Sequence, residues 1–120
     1  MINKVIRITL VVRNQNEALR FYTEKLGFEK RADLHMAPGQ RWLTVAPKGD
    51  QQVEIVLQPP DWFEGTTRED HIAKVGNNPA LVFQVDDCRQ TYAELRQKGV
   101  EFASPPENLP YGIQAVAKDL

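Results

Sequence analysis

The chain has 120 residues, 42% of them hydrophobic and 26% charged, and carries a formal net charge of -1. That is enough for one domain with a real core, too ordinary a mixture for disorder or a coiled coil, and too neutral, with no run of Lys or Arg, for a nucleic-acid partner. The first apolar segment, Val5 to Val12, is interrupted by Arg7 and too short for a signal-peptide core or a membrane span, and the lone Cys88 can form no internal disulfide. We therefore expect a cytoplasmic protein that engages no membrane.

Lys4 to Val12 alternates as a strand should, with Ile6, Ile8, Leu10 and Val12 on one face and Arg7, Thr9 and Val11 on the other. The stretch from Glu17 to Phe28, EALRFYTEKLGF, then reads as a helix lying on a sheet. Ala18, Leu19, Phe21, Tyr22 and Leu26 recur at three- and four-residue steps, and Glu17, Arg20, Thr23, Glu24 and Lys25 fall mostly on the wet side. Asn14 or Asn16 caps its start, and Gly27 ends it in a left-handed residue. Phe28 to Met36 is a second strand and Arg41 to Ala46 a third, separated by the turn residues Pro38-Gly39. After the Pro47-Lys48-Gly49-Asp50 turn, Gln51 to Gln58 is the clearest strand, with Val53, Ile55 and Leu57 alternating with Gln52, Glu54, Val56 and Gln58. The first half is β-α-β-β-β.

Pro59-Pro60 closes that half, because tandem prolines cannot continue a central strand. Residues 61–78 turn polar and charged and read mainly as a connector, with room for a short helix from Arg68 to Lys74. Pro79 to Val85 resumes alternation, setting Leu81, Phe83 and Val85 against Ala80, Val82 and Gln84. Asp86 or Asp87 caps a second helix that buries Tyr92, Leu95 and Cys88 and stops at Gly99. Val100 to Ala103 is a strand, Pro105-Pro106 a break, and Ile113 to Ala117 a further strand.

The halves answer one another. VVRNQNEALRFYTEKLGF matches QVDDCRQTYAELRQKGV with a one-residue slip in the helix, and Gly27 and Gly99 lie about 72 residues apart. The expected fold class is α+β: tandem β-α-β-β-β units in one domain over 1–120, with unit one at 1–60, a connector at 61–78, and an incomplete second unit at 79–120 that lacks its last strand.

The repeated unit, with the segments ALRFYTEKLGF, RWLTVAPKG and VEIVLQPP, resembles the vicinal oxygen chelate superfamily, which includes glyoxalase I, extradiol dioxygenases and the bleomycin- and fosfomycin-resistance proteins. The resemblance covers nearly the whole chain. It implies that each unit curls into a half-barrel, that paired units form a cup for a ligand with helices packed outside, and that the protein is a homodimer. An open sheet edge in the second unit also calls for a covering neighbour.

The resemblance also implies metal ligands on the first and last strand of each unit, His, Glu or Gln, pointing into the cup. In this sequence those positions fall on Arg7, a permanent cation, on Glu54, which keeps a donor, and on Ala80, which has none; the fourth would belong to the absent last strand. We therefore expect no cofactor, with a divalent metal ion held partly by Glu54 as the alternative. Arg7 and Glu54 stand on neighbouring strands. As a pair they either replace the metal and offer charged groups to a ligand, or only satisfy one another in a partly buried pocket. Removing one partner from such a pocket costs about 3–5 kcal/mol.

His35 and His71, the only imidazoles, read as surface or loop residues matching no ligand position, and Cys88 reads as inert packing. Trp42 alternates with Leu43 and either lines the cup or packs under a helix. Trp62-Phe63, beyond the double proline, suit a lid, a dimer contact or an anchor for the connector, and the Pro110-Tyr111-Gly112 turn is placed near the same mouth. The charged run TREDH is a solvated face.

The leading functional expectation is metal-free binding of a small organic molecule, of the resistance or sequestration kind. Its cup would be lined by Arg7, Thr9, Trp42, Thr44, Glu54, Val56, Val82 and Gln84, since a binder needs apolar walls and a few oriented polar groups. The alternative is a metal-dependent glyoxalase-like lyase or dioxygenase using Glu54. A domain whose role lies in its dimer surface is the third.

Overall fold

The computed structural model of the chain describes residues 1–50 and 52–119, which form two compact units, Met1–Asn78 and Pro79–Leu120. Gln51, expected to begin the fourth strand, and Leu120, where the incomplete second unit was expected to end, lie outside the described residues.

Unit one contains strands β1 (Arg7–Val11), β2 (Glu29–Ala37), β3 (Gln40–Ala46) and β4 (Glu54–Gln58), in the sheet order β1-β4-β3-β2. β1 and β4 run parallel; the other neighbours are antiparallel. Helix α1 (Gln15–Arg20) starts at Asn14, whose side-chain oxygen accepts from the Glu17 amide at 2.9 Å. The Gln15 carboxamide donates to the carbonyls of Arg41 and Leu57 at 2.8 and 3.0 Å, pinning the helix start to β3 and β4. Leu10, Leu43, Val45, Ile55 and Leu57 on the sheet, with Ala18, Phe21 and Tyr22 from the helical segment, form the buried core. Each large side chain among them contributes roughly 1.5–3 kcal/mol of hydrophobic stabilisation. On β1 the alternating apolar face is buried only from Leu10 onward; Ile6 and Ile8 remain exposed.

α1 runs directly into a π-helical turn, Phe21–Lys25, closed by the Leu26 amide donating to the Phe21 carbonyl at 3.2 Å. That turn accounts for the slip between the halves. Gly27 follows its capping Asn14 by 13 residues, whereas Gly99 follows its capping Asp87 by 12. A π turn accommodates one extra residue without moving the helix ends. Phe21 and Tyr22, brought edge to face at 5.3 Å, are both buried by this local widening.

Beyond β4, the expected connector is more ordered than its composition suggested. A 3-10 turn at Pro60–Trp62 leads into helix α2 (Gly65–Lys74), which packs against that turn and against β1. Asn78 closes the unit. Its carboxamide accepts from the Val11 amide at 3.0 Å and donates to the Val11 carbonyl at 2.9 Å, so one side chain serves the open edge of β1 as a partner strand would.

Unit two holds helix α3 (Cys88–Gln97), capped by Asp87, and the hairpin β5 (Phe102–Leu109) and β6 (Gly112–Ala117). Two expectations are corrected. Residues 79–85 form no strand. In unit one the first strand is made by pairing with β4; among the described residues no strand follows β6 to play that part, and alternation by itself supplies no ladder. Pro105-Pro106 do not break the chain either; they lie inside β5. The pairing skips from Ser104↔Val116 to Glu107↔Gln114, an irregularity that relieves the prolines of donating to the ladder.

Candidate functional site

Arg7 and Glu54 are brought together by the parallel pairing of β1 with β4, whose register sets them directly opposite. Arg7 Nε lies 3.3 Å from Glu54 Oε2, and the guanidinium carbon stands 5.7 Å from the centroid of the Trp42 ring on β3. One guanidinium is thus held by a carboxylate and by an indole ring, two attractions that fix its direction. The next row of the same sheet face is Thr9↔Val56↔Thr44, and Leu34 lies opposite Trp42 on β2.

The burial of these residues grades from rim to floor. The side chains of Arg7 and Glu54 are 46% and 30% exposed, and Thr9 is exposed. Trp42 is half-buried, whereas Val56 and Thr44 are buried, the latter with a hydroxyl oxygen that has no hydrogen-bond partner among the described residues. The expected penalty for separating Arg7 from Glu54 is corrected by these exposures. The pair is wet, so either truncation costs on the order of 1 kcal/mol or less, because water takes over the orphaned charge.

Val82 and Gln84 belong to unit two, on the stretch 79–85 that forms no strand, and Val82 is 92% exposed. His35 sits opposite Arg41 and so points to the other side of the sheet from Trp42. On α2, His71 bonds the Thr67 carbonyl at 2.8 Å and stacks on Phe63 at 3.9 Å, which ties Phe63 to the helix. The Trp62 indole nitrogen is buried and has no hydrogen-bond partner among the described residues. The exposed Tyr111 hydroxyl, in unit two, meets Gln114 Oε1 at 3.2 Å. Sequence reasoning passed over Leu34 and Met36, exposed apolar side chains on β2; their alternation with Asp33 and His35 was the available signal.

A second charged cluster organises the opposite face. Arg41 donates to both oxygens of Asp33, at 2.7 and 2.8 Å, and to Asn16 at 2.6 Å. The hydrogen bonds from Arg41, aided by Lys30, hold the Asp33 carboxyl well below the usual carboxylate range, against the opposing effect of burial. This fork joins β2 and β3 to the start of the helix.

Residues 4–119 match the sequence pattern of the Glyoxalase/Bleomycin resistance protein/Dioxygenase superfamily. The chain belongs to that superfamily. Its fold is similar to that of UcmS2, at 42% identity and a TM-score of 0.86, covering 99% of this chain and 92% of that one. It is also similar to TnmS3, an antibiotic binding protein from Streptomyces sp. CB03234, at 33% identity and a TM-score of 0.80 over 98% and 88% of the two chains. YetH of Bacillus subtilis (strain 168) is 32% identical over 119 residues, 99% of this chain and 92% of its own length. Among the described residues no three His, Cys, Asp or Glu side chains come together. Nor is any helix among them long and apolar enough to cross a membrane.

Proposed function

We propose that this superfamily member binds a small organic molecule on the sheet face that carries Arg7, Trp42 and Glu54, without a resident metal ion, and acts by sequestration. The observation that carries the reading is the Arg7 guanidinium, paired with Glu54 at 3.3 Å and directed by the Trp42 ring. The donors present do not fit a divalent cation. Glu54 alone offers an anionic oxygen there, and a fixed positive charge already neutralises it. What the cluster suits is a ligand with a flat apolar body, laid against Trp42 and Leu34, and an oxygen that accepts from the guanidinium N–H groups. The Thr9 hydroxyl adds a second polar contact. The similarity to TnmS3, itself an antibiotic binding protein, supports the same class of ligand.

A thermal-shift screen of bleomycin, fosfomycin and small aromatic acids, followed by titration of the best ligand, tests the reading. Arg7→Gln and Trp42→Ala are each expected to weaken that ligand by about tenfold or more. Unchanged affinity in both variants places the ligand elsewhere. We further propose that two copies associate in the cytoplasm as a homodimer that shields Ile6, Ile8 and other exposed apolar side chains. Sedimentation equilibrium then gives twice the 13.7 kDa chain mass; a monomer at micromolar concentration contradicts it.

A further inference from the structure

Unit two contains a cleft of about 470 Å³ where the last turn of α3 meets the start of β5, lined by Tyr92, Arg96, Gly99, Val100, Glu101 and Phe102. None of these residues belongs to the face described above. Gly99, at φ +90°, reverses the chain so that residues 100–102 return alongside the helix they follow. The Tyr92 and Phe102 rings meet edge to face at 4.6 Å and make one aromatic corner, and buried Val100 adds an apolar surface beside it. The volume lies in the range of small-ligand sites, roughly 300–1,000 Å³.

Two opposite charges stand on this cleft without pairing with each other. The Arg96 guanidinium lies 5.4 Å from the Tyr92 ring centroid and, among the described residues, forms no salt bridge. Glu101 lines the same cleft, and its side chain is likewise in no ion pair among them. Its position is fixed through the backbone, where the Glu101 carbonyl accepts from the Lys118 amide at 2.8 Å. A cation and an anion therefore face one aromatic-walled cleft, both exposed, without closing on one another. Had they paired, the cleft would be bridged; standing apart, they leave room for a molecule that presents the opposite charge to each.

We propose that this cleft binds a free aromatic α-amino acid as its zwitterion. The ring packs against Tyr92 and Phe102, the carboxylate takes the Arg96 guanidinium and the ammonium takes Glu101. A carboxylate alone would leave Glu101 as a repelling neighbour, and an amine alone would face Arg96; only the molecule carrying both charges satisfies both residues.

Calorimetric titration of the full chain with L-phenylalanine, 3-phenylpropionate and 2-phenylethylamine tests this directly. L-Phenylalanine is expected to bind saturably, and each singly charged analogue about tenfold or more weakly. Arg96→Gln is expected to weaken L-phenylalanine and 3-phenylpropionate while sparing 2-phenylethylamine; Glu101→Gln has the reverse pattern. Arg7→Gln is expected to leave L-phenylalanine binding unchanged, which separates this site from the Arg7 face. Absence of saturable heat up to about 10 mM ligand, indifference to both cleft variants, or loss of binding in Arg7→Gln overturns the proposal.

Discussion

The two units start from matching sequence patterns and arrive at different structures. In unit one the first strand lies beside β4, the sheet has four strands, and helix and sheet enclose a continuous apolar core. In unit two the corresponding stretch, 79–85, forms no strand, the sheet is a hairpin, and among the described residues only Val100 is buried. The lesson is about what alternation encodes. It says which side chains share a face, but a strand also needs a backbone partner, which β4 gives to residues 7–11.

The sharpest way to break this comparison is to remove one core side chain from each unit. Leu57→Ala, at a fully buried position, is expected to cost about 2–5 kcal/mol by urea unfolding, and Leu95→Ala on half-buried α3 roughly 1 kcal/mol. Equal losses would mean that unit two has a core as consolidated as that of unit one. A smaller effect is expected where Asn78 stands in for a strand. Asn78→Ala removes both hydrogen bonds to Val11 and should cost about 1–3 kcal/mol, with faster amide exchange at Val11. Unchanged exchange at Val11 would show that the edge is protected by something else.

The smallest of the stability effects is electrostatic and has a definite sign. Asp33 has a depressed carboxyl pKa in the folded chain, so it contributes stability at pH values above its ordinary unfolded value of about 4 and loses that contribution as pH falls below it. The urea midpoint of the natural chain should therefore drop more steeply on acidification below about pH 4 than that of Arg41→Gln, in which the fork is cut. Parallel pH profiles would remove Asp33 from the account of unit one's stability.

Much of unit one was legible because its signals are local and redundant. The apolar steps of the helical segment, the caps Asn14 and Gly27 and the alternation of 53–58 each point to one structure. The position of Arg7 beside Glu54 follows once the first and fourth strands are neighbours. What escaped notice depends on contacts that leave no periodic mark. The π turn was visible only as a one-residue discrepancy between the halves. Asn78, 67 residues from its partner Val11, looks like any loop asparagine. Pro105-Pro106 read as a break because the rule against proline in strands assumes a regular ladder, and here the ladder is interrupted. The wetness of the Arg7–Glu54 pair was also hidden, since alternation reports a side chain's face and not what covers it.

The most direct test of metal-free binding at the Arg7 face is titration of the best screened ligand against protein stripped with a chelator, with metal content measured before and after. Binding of equal affinity in both preparations, with no stoichiometric metal in either, is the expected result. Affinity lost on stripping and restored by zinc, nickel, iron or manganese, with Glu54→Gln abolishing the restoration, would contradict it.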